Sequence, residues 1–233
     1  MGRILRILPV VLALALFAGC TSMGHHHPAA RQQHDFGPVE TVNLCLYVDQ
    51  GIGEEEARTL IETAWRDEVQ FYGIELRIVE VKQWSRPAFR MEGILQALRQ
   101  EPLEAPCDRI FAMVNRHLGD FLWAFVGPEV LGAVNDETLT HGYAAARVGS
   151  FNQLMTPPLD VTRHEIYHLL GCGEHFDMTG CYEQIARLKA WKRANGGDFF
   201  PAWDLQKKQM LASRDAVNRR LEPWRRTSVA ARQ

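Results

Sequence analysis

The stretch DVTRHEIYHLLGCGEHFDMTGCYE, residues 160–183, places His164 and His168 four positions apart. On a helix these side chains are neighbours on one face, so both imidazoles can bind one zinc ion at about 2.0 to 2.1 Å. Glu165 follows the first histidine, and its carboxylate can reach a water at the open coordination position of the zinc rather than the metal itself. The spacing therefore predicts a zinc site with Glu165 as the catalytic general base.

The predicted helix also carries an apolar stripe of Ile166, Leu169 and Leu170, and the two histidines lie on another face. The alternative is an ordinary core helix whose imidazoles are satisfied by local hydrogen bonds. The separation of the two faces favours the metal site. Bound zinc lowers the pKa of water from about 15.7 to roughly 7 and polarises a carbonyl, which is the main requirement for peptide hydrolysis without a covalent intermediate.

The pattern His164-Glu165-x-x-His168-x-x-Gly171 resembles the metzincin clan of zinc metallopeptidases. In that clan a glycine turns the chain after the active-site helix, and a third ligand, usually histidine, follows three residues later. Glu174 occupies that position here and His175 is next, an acid–histidine pair that is similar to the snapalysins. The Cys181 that follows also resembles archaemetzincin and snapalysin segments. Both Glu174 and His175 remain candidates for the third ligand, with Glu183 as a more distant alternative.

The preceding residues alternate strand and helix patterns. Apolar and β-branched runs predict strands, amphipathic spacing predicts helices, and Asn135-Asp136 indicates a turn between two extended segments. The predicted elements are strands over 41–48, 74–81 and 109–114, helices over 54–71 and 91–99, and a hairpin over 129–148. Residues 131–134 and 143–148 are the candidate edge for pairing with an extended peptide.

The resemblance implies an α+β, zincin-like fold: a mixed twisted sheet with a long backing helix, an active-site helix and a small helical C-terminal subdomain. The metallopeptidase domain is predicted over 39–222, with an upper subdomain over 39–181 and a lower one over 182–222. Helices are expected over 182–194 and 203–221. Residues 21–38 have almost no periodic apolar positions and predict a flexible tether, and the basic residues 223–233 predict a disordered tail.

The first twenty residues have the pattern of a signal peptide, with Arg3 and Arg6 before an apolar run that is too short to span a membrane. Residues 16–20, LFAGC, resemble the lipobox of bacterial lipoproteins, in which the cysteine is acylated. The resemblance implies an exported protein that is anchored through Cys20 to the bacterial cell envelope, and Thr21 favours the outer membrane where there is one. A plain cleaved signal peptide is the alternative.

Composition sets further limits. The chain has 233 residues, 46% of them hydrophobic, and 26 Lys+Arg against 28 Asp+Glu give a formal net charge of -2, which argues against a nucleic-acid partner. The expected partners are a peptide or protein substrate and, through the anchor, the membrane; the domain itself is expected to be a monomer. Beyond Cys20, four cysteines in an oxidising compartment allow two disulfides, and Cys172–Cys181 is the favoured pair.

The leading hypothesis is thus a zinc metalloendopeptidase with Zn²⁺ as its cofactor. The alternative from another class is a non-catalytic envelope lipoprotein whose zinc site is structural or vestigial and which serves as a binding module. A closed, four-ligand coordination of the zinc would favour this alternative, because structural zinc sites leave no open position.

Overall fold

The computed structural model describes residues 28–87, 90–124, 130–147, 156–173, 175 and 178–230. The predicted signal peptide with Cys20, the first part of the tether and the candidate ligand Glu174 lie outside the described residues.

Within the described residues, one sheet forms the centre of the fold. Its strands are β1 (Glu40–Asp49), β2 (Ile74–Trp84), β3 (Arg109–Val114), β4 (Gly132–Val134) and β5 (His141–Ala145). The spatial order is β2-β1-β3-β5-β4, and all neighbours are parallel except β4, which is antiparallel to β5. Every residue of β3 is buried, as its continuous apolar run requires. The predicted strands and the hairpin are confirmed.

Helices cover both faces of this mixed, mostly parallel sheet, so the described residues combine α and β elements as the predicted α+β class requires. They are α1 (Pro28–Gln32), α2 (Glu54–Trp65), α3 (Val69–Tyr72), α4 (Met91–Gln100), α5 (Leu118–Ala124), α6 (Pro158–Leu169), α7 (Met178–Asn195) and α8 (Arg214–Ala230). Helices α2 and α6 pack together on one face, and α4 and α8 pack on the other. The single helix predicted over 54–71 is broken by a turn at 66–68, which brings Glu68 into the interior.

The helix predicted over 203–221 is wrong in its first half. A hairpin of β6 (Ala202–Asp204) and β7 (Gln209–Leu211) stands there, and α8 begins only at Arg214. The carboxylate of Asp204 accepts a hydrogen bond from the backbone N–H of Lys207 at 2.9 Å and so stabilises the turn. Local side-chain chemistry thus favours a turn where apolar spacing alone predicts a helix.

The predicted disordered tail is wrong over residues 223–230, because α8 continues through Pro223 to Ala230. Arg225 anchors this part by donating to the carbonyl oxygens of Arg99 and Glu101, both at 2.9 Å. The separate lower subdomain is also not observed. Val217 and Leu221 share a core with Ile94 of α4, so the C-terminal segment completes the main domain.

Residues 28–38 do not form a flexible tether. Arg31 is 4% exposed and Phe36 is 5% exposed, and the Phe36 side chain belongs to the core beneath α2 and α6. The apolar periodicity of this segment is too weak to reveal this packing, because a single arginine and a single aromatic ring make the contacts. The folded domain therefore includes the second half of the predicted tether.

Two disulfides join the four described cysteines. Cys172 pairs with Cys181, which confirms the favoured pairing, and Cys45 of β1 pairs with Cys107, which precedes β3. The first bridge closes the turn that follows α6, and the second joins the middle of β1 to the residues that lead into its neighbour β3. None of the described helices combines the length and the apolar character that crossing a membrane requires.

Candidate metal centre

Helix α6 presents His164 and His168 on one face, as the four-residue spacing predicts. Their Nε2 atoms are 3.2 Å apart. Two nitrogens bound to one tetrahedral zinc at 2.0 to 2.1 Å lie about 3.3 Å from each other. The two imidazoles are therefore already spaced as ligands of a single zinc ion.

A sharp turn after α6 brings a third histidine to the pair. Gly171 adopts φ +107°, in the left-handed region, and a Cβ at this position would lie 2.8 Å from a methyl carbon of Leu188. A glycine is therefore needed both for the backbone conformation and for the contact with α7. Beyond the turn, His175 places a ring nitrogen so that the ligand atoms of His164, His168 and His175 all lie within 4.8 Å of one another.

The third-ligand candidates are thus separated by their position. His175 joins the two helix histidines, Glu174 is outside the described residues, and Glu183 lies exposed on α7 and is not part of this group. Three imidazole nitrogens are a donor set that suits zinc, and they leave a fourth position for solvent. The residues present therefore fit the metal that the sequence predicts.

The protonation of the two helix histidines also suits metal binding. Burial, reinforced by neighbouring histidines, lowers the pKa of His164 to about 3 and that of His168 to about 4, so both rings are neutral at neutral pH. The Nδ1 atom of His168 is 2.5 Å from the carbonyl oxygen of Cys172. This carbonyl can only accept, so Nδ1 carries the proton and the Nε2 lone pair remains for the metal.

Glu165 lies beside this group and is held against the edge of the sheet. It is 5% exposed, and burial raises its pKa well above the usual range. A Cβ on Gly132 of β4 would lie 2.6 Å from both Cγ and Oε1 of Glu165, so only a glycine leaves room for the carboxylate. Sequence reasoning missed Gly132, although a glycine within a short strand is a signal of a close approach.

His168, His175 and Glu165 open onto one cavity of about 370 Å³. One wall contains Glu165, His168 and His175, and the floor is the edge strand β4. Helix α4 forms the opposite wall of the cavity. The sequence did not indicate that this helix lies next to the histidines. Its contribution to the cavity comes from Met91, Glu92, Leu95 and Arg99.

Strand β4 is an edge of the sheet, but β5 is not. The backbone N–H of Ala145 donates to the carbonyl oxygen of Leu131, and the backbone N–H of Asn135 donates to the carbonyl oxygen of His141. Because such hydrogen-bonded positions alternate along an antiparallel pair, the odd-numbered residues of this segment form the hydrogen bonds with β5. The backbone groups of Gly132 and Val134 therefore face away from β5, toward the cavity. The prediction that residues 143–148 form part of the edge is wrong, because β5 lies between β3 and β4.

A buried polar cluster supports α6 from behind. Tyr167, between the two histidines, donates its hydroxyl to the carboxylate of Glu68, which also forms an ion pair with Arg31 at 2.8 Å. Glu68 is fully buried and Arg31 is almost so. The N-terminal segment is thus joined through two side chains to the helix that carries the histidines.

The third ligand can be identified by substitution. We expect His175→Ala to weaken zinc binding by more than about 100-fold, because a direct ligand is lost, whereas substitutions beyond the ligands typically cost about 10- to 100-fold. Glu174→Ala should change the zinc affinity little. Competition with a chromophoric chelator measures both. X-ray absorption of the wild type should show three imidazole nitrogens and one oxygen; loss of zinc in Glu174→Ala alone would contradict this assignment.

Comparison of the whole sequence with known proteins does not indicate a function. No protein-family model matches this chain. No curated protein matches it significantly. The chemistry of the site is therefore what supports a function for this protein.

Proposed function

We propose that this protein is a zinc-dependent metalloendopeptidase with a metzincin-like fold. The ligands are His164, His168 and His175, and Glu165 is the general base. The observation that carries the proposal is the opening of Glu165, His168 and His175 onto one cavity beside an available strand edge, with His164 completing the histidine group. A purely structural zinc site has no need of such a cavity or of a buried carboxylate next to the ligands.

The side chains divide the chemistry between them. Zinc, when bound, supplies Lewis-acid polarisation of a peptide carbonyl and lowers the pKa of water. Glu165 takes the proton of the attacking water and passes it to the departing amine nitrogen. Burial raises the pKa of Glu165, and this direction suits a group that must first accept a proton and then give it up.

The substrate binds as an extended peptide along β4. The outward backbone N–H and C=O groups of Gly132 and Val134 form hydrogen bonds with it, as strands do at a sheet edge. Its scissile bond then lies beside Glu165, which packs against Gly132. An internal peptide bond suits this arrangement, because the edge strand can pair with residues on both sides of it.

The metzincin-like fold and the lipid anchor belong to the same proposal. The chain order of strand, helix, strand, helix, strand, edge and histidine helix, with the glycine turn at Gly171, supports the first. The lipobox-like residues 16–20 support acylation of Cys20 and a place on the bacterial envelope. Because α1 begins at Pro28, the chain between anchor and domain spans at most about 30 Å, which would keep the site close to the membrane.

Metal removal tests the proposed activity. The full-length protein, purified in detergent, should hydrolyse internal bonds of denatured protein substrates, and mass spectrometry of the products identifies the cleaved bonds. A zinc chelator should abolish hydrolysis, and one equivalent of zinc per chain should restore it. Hydrolysis that survives complete zinc removal would contradict the proposal, and zinc-loaded protein without any hydrolysis would favour a binding module.

A further inference from the structure

The α4 wall of the cavity is electrically polarised. Glu92 and Arg99 both line the cavity and are seven residues apart, which is about 10.5 Å along a helix. Leu95 lies between them on the same face. A peptide lying along β4 therefore meets an acidic group at one end of this wall and a cation at the other.

The position of the Arg99 side chain is well defined. Its Nε donates to the Oδ1 atom of Asn135 at 3.1 Å, and its guanidinium carbon lies 4.5 Å from the ring centroid of Trp224. Asn135 directly follows the edge strand β4. The guanidinium thus stands at the C-terminal end of the strand that we assign to substrate binding, held by one hydrogen bond and one aromatic ring.

Arg99 forms no ion pair within the described part of the chain. Its terminal nitrogens make no hydrogen bond there, and no described carboxylate lies within ion-pair distance of them. Glu137, which has the larger effect of the two on the pKa of Arg99, pairs with Arg220 at 3.8 Å, and Asp136, which also lines the cavity, is exposed to solvent. Burial lowers the pKa of Arg99, and the fields of Glu137 and Asp136 offset this only in part.

The partly buried guanidinium of Arg99 has lost part of its hydration, and an anionic ligand would compensate for that loss. The N–H groups on the two terminal nitrogens of Arg99 have the geometry to form a bidentate pair with a carboxylate. We propose that Arg99 binds an acidic side chain of the substrate and makes this peptidase selective for Asp or Glu at one position near the scissile bond. The inference rests on the proposed function, because the peptide must lie along β4.

Matched peptides test this selectivity. Each fluorogenic peptide carries Glu, Gln or Lys at one of three positions on either side of the cleaved bond. At one position we expect kcat/KM to be about 10- to 100-fold higher for Glu than for Gln, the value of a charge-assisted hydrogen bond. Arg99→Gln should abolish this preference, so that the Glu and Gln peptides are cleaved with equal kcat/KM, and Arg99→Glu should reverse it in favour of Lys.

Two further variants sharpen the test. Arg219→Gln removes an exposed arginine from α8, outside the cavity, and should retain the full Glu preference. Asp136→Asn removes an acidic group at the Arg99 end and should increase the preference. This variant keeps the inference testable if Arg99→Gln proves unstable, which thermal unfolding and zinc content will reveal. A Glu preference that is unchanged or lower in Asp136→Asn would show that the charge at this end of the cavity does not set the preference, and it would overturn the proposal.

The outcomes for the inference and for the peptidase proposal are separable. Equal cleavage of Glu and Gln peptides at every position, or a Glu preference that survives in Arg99→Gln, overturns the role of Arg99 but leaves the peptidase standing. If no peptide is cleaved, the peptidase proposal fails, and fluorescence polarisation with the same peptides decides the inference. Tighter binding of a Glu peptide that is lost in Arg99→Gln supports it, and equal binding overturns it.

Discussion

Glu165→Gln is expected to keep one zinc per chain and to lose about 100- to 10,000-fold in kcat, the usual contribution of a general base. The amide has nearly the same size as the carboxylate, so it fits against Gly132 without disturbing β4. It cannot accept the proton of the attacking water. Because Glu165 is not a member of the histidine group, the affinity for zinc should not change.

Fluorogenic peptide hydrolysis and atomic absorption measure the two properties on the same preparation. Glu183→Gln is the matched control, since it makes the same chemical change on the exposed surface of α7. It should retain both zinc and activity, and a loss of zinc in this control would revive Glu183 as a ligand. Normal hydrolysis by Glu165→Gln would refute the mechanism.

Arg31→Ala is expected to lower the free energy of unfolding by about 3 to 5 kcal/mol, the typical cost of breaking a buried ion pair from one side. Glu68 is fully buried, so the substitution leaves its carboxylate in the interior without the cation. The hydroxyl of Tyr167 still donates to Glu68, but a neutral donor does not replace a charge. Urea denaturation of the zinc-free protein measures the effect without a contribution from metal binding.

Arg58→Ala provides the matched control. Arg58 forms an ion pair with Glu54 at 2.9 Å on the exposed face of α2, and such surface pairs contribute about 0.3 to 0.5 kcal/mol. The double variant Arg31→Met with Glu68→Gln should recover part of the stability, because it removes both buried charges. If Arg31→Ala costs no more than Arg58→Ala, the N-terminal segment does not stabilise the domain.

Much of the site follows from short-range spacing. His164, Glu165 and His168 lie within one helical turn and a fraction, so any helix over these residues brings them together. Gly171 and the Cys172–Cys181 pair are also local features, and the structure contains both the turn and the disulfide. Strands β1, β2 and β3 were equally predictable. A strand that is buried on both faces gives a short continuous run of apolar residues, and a strand that is buried on one face gives alternation of apolar and polar residues.

The remaining features depend on contacts between residues far apart in the chain. Whether Gly132 meets Glu165, and whether α4 forms the far wall of the cavity, depends on the order of strands in the sheet and on which helices cover each face. The burial of Arg31 against Glu68 joins residues 37 positions apart, and no periodicity marks a single buried arginine.

Sequence alone therefore determined the local elements and the histidine pair of α6, because helical and strand periodicities are properties of neighbouring residues. The folded arrangement selected His175 as the third member of the group, turned 202–211 into a hairpin and placed Arg99 beside the cavity. The physical reason is that the native fold has the lowest free energy of the whole chain. Burial of side chains and charge pairing between distant residues contribute more to that free energy than the conformational preference of any short segment.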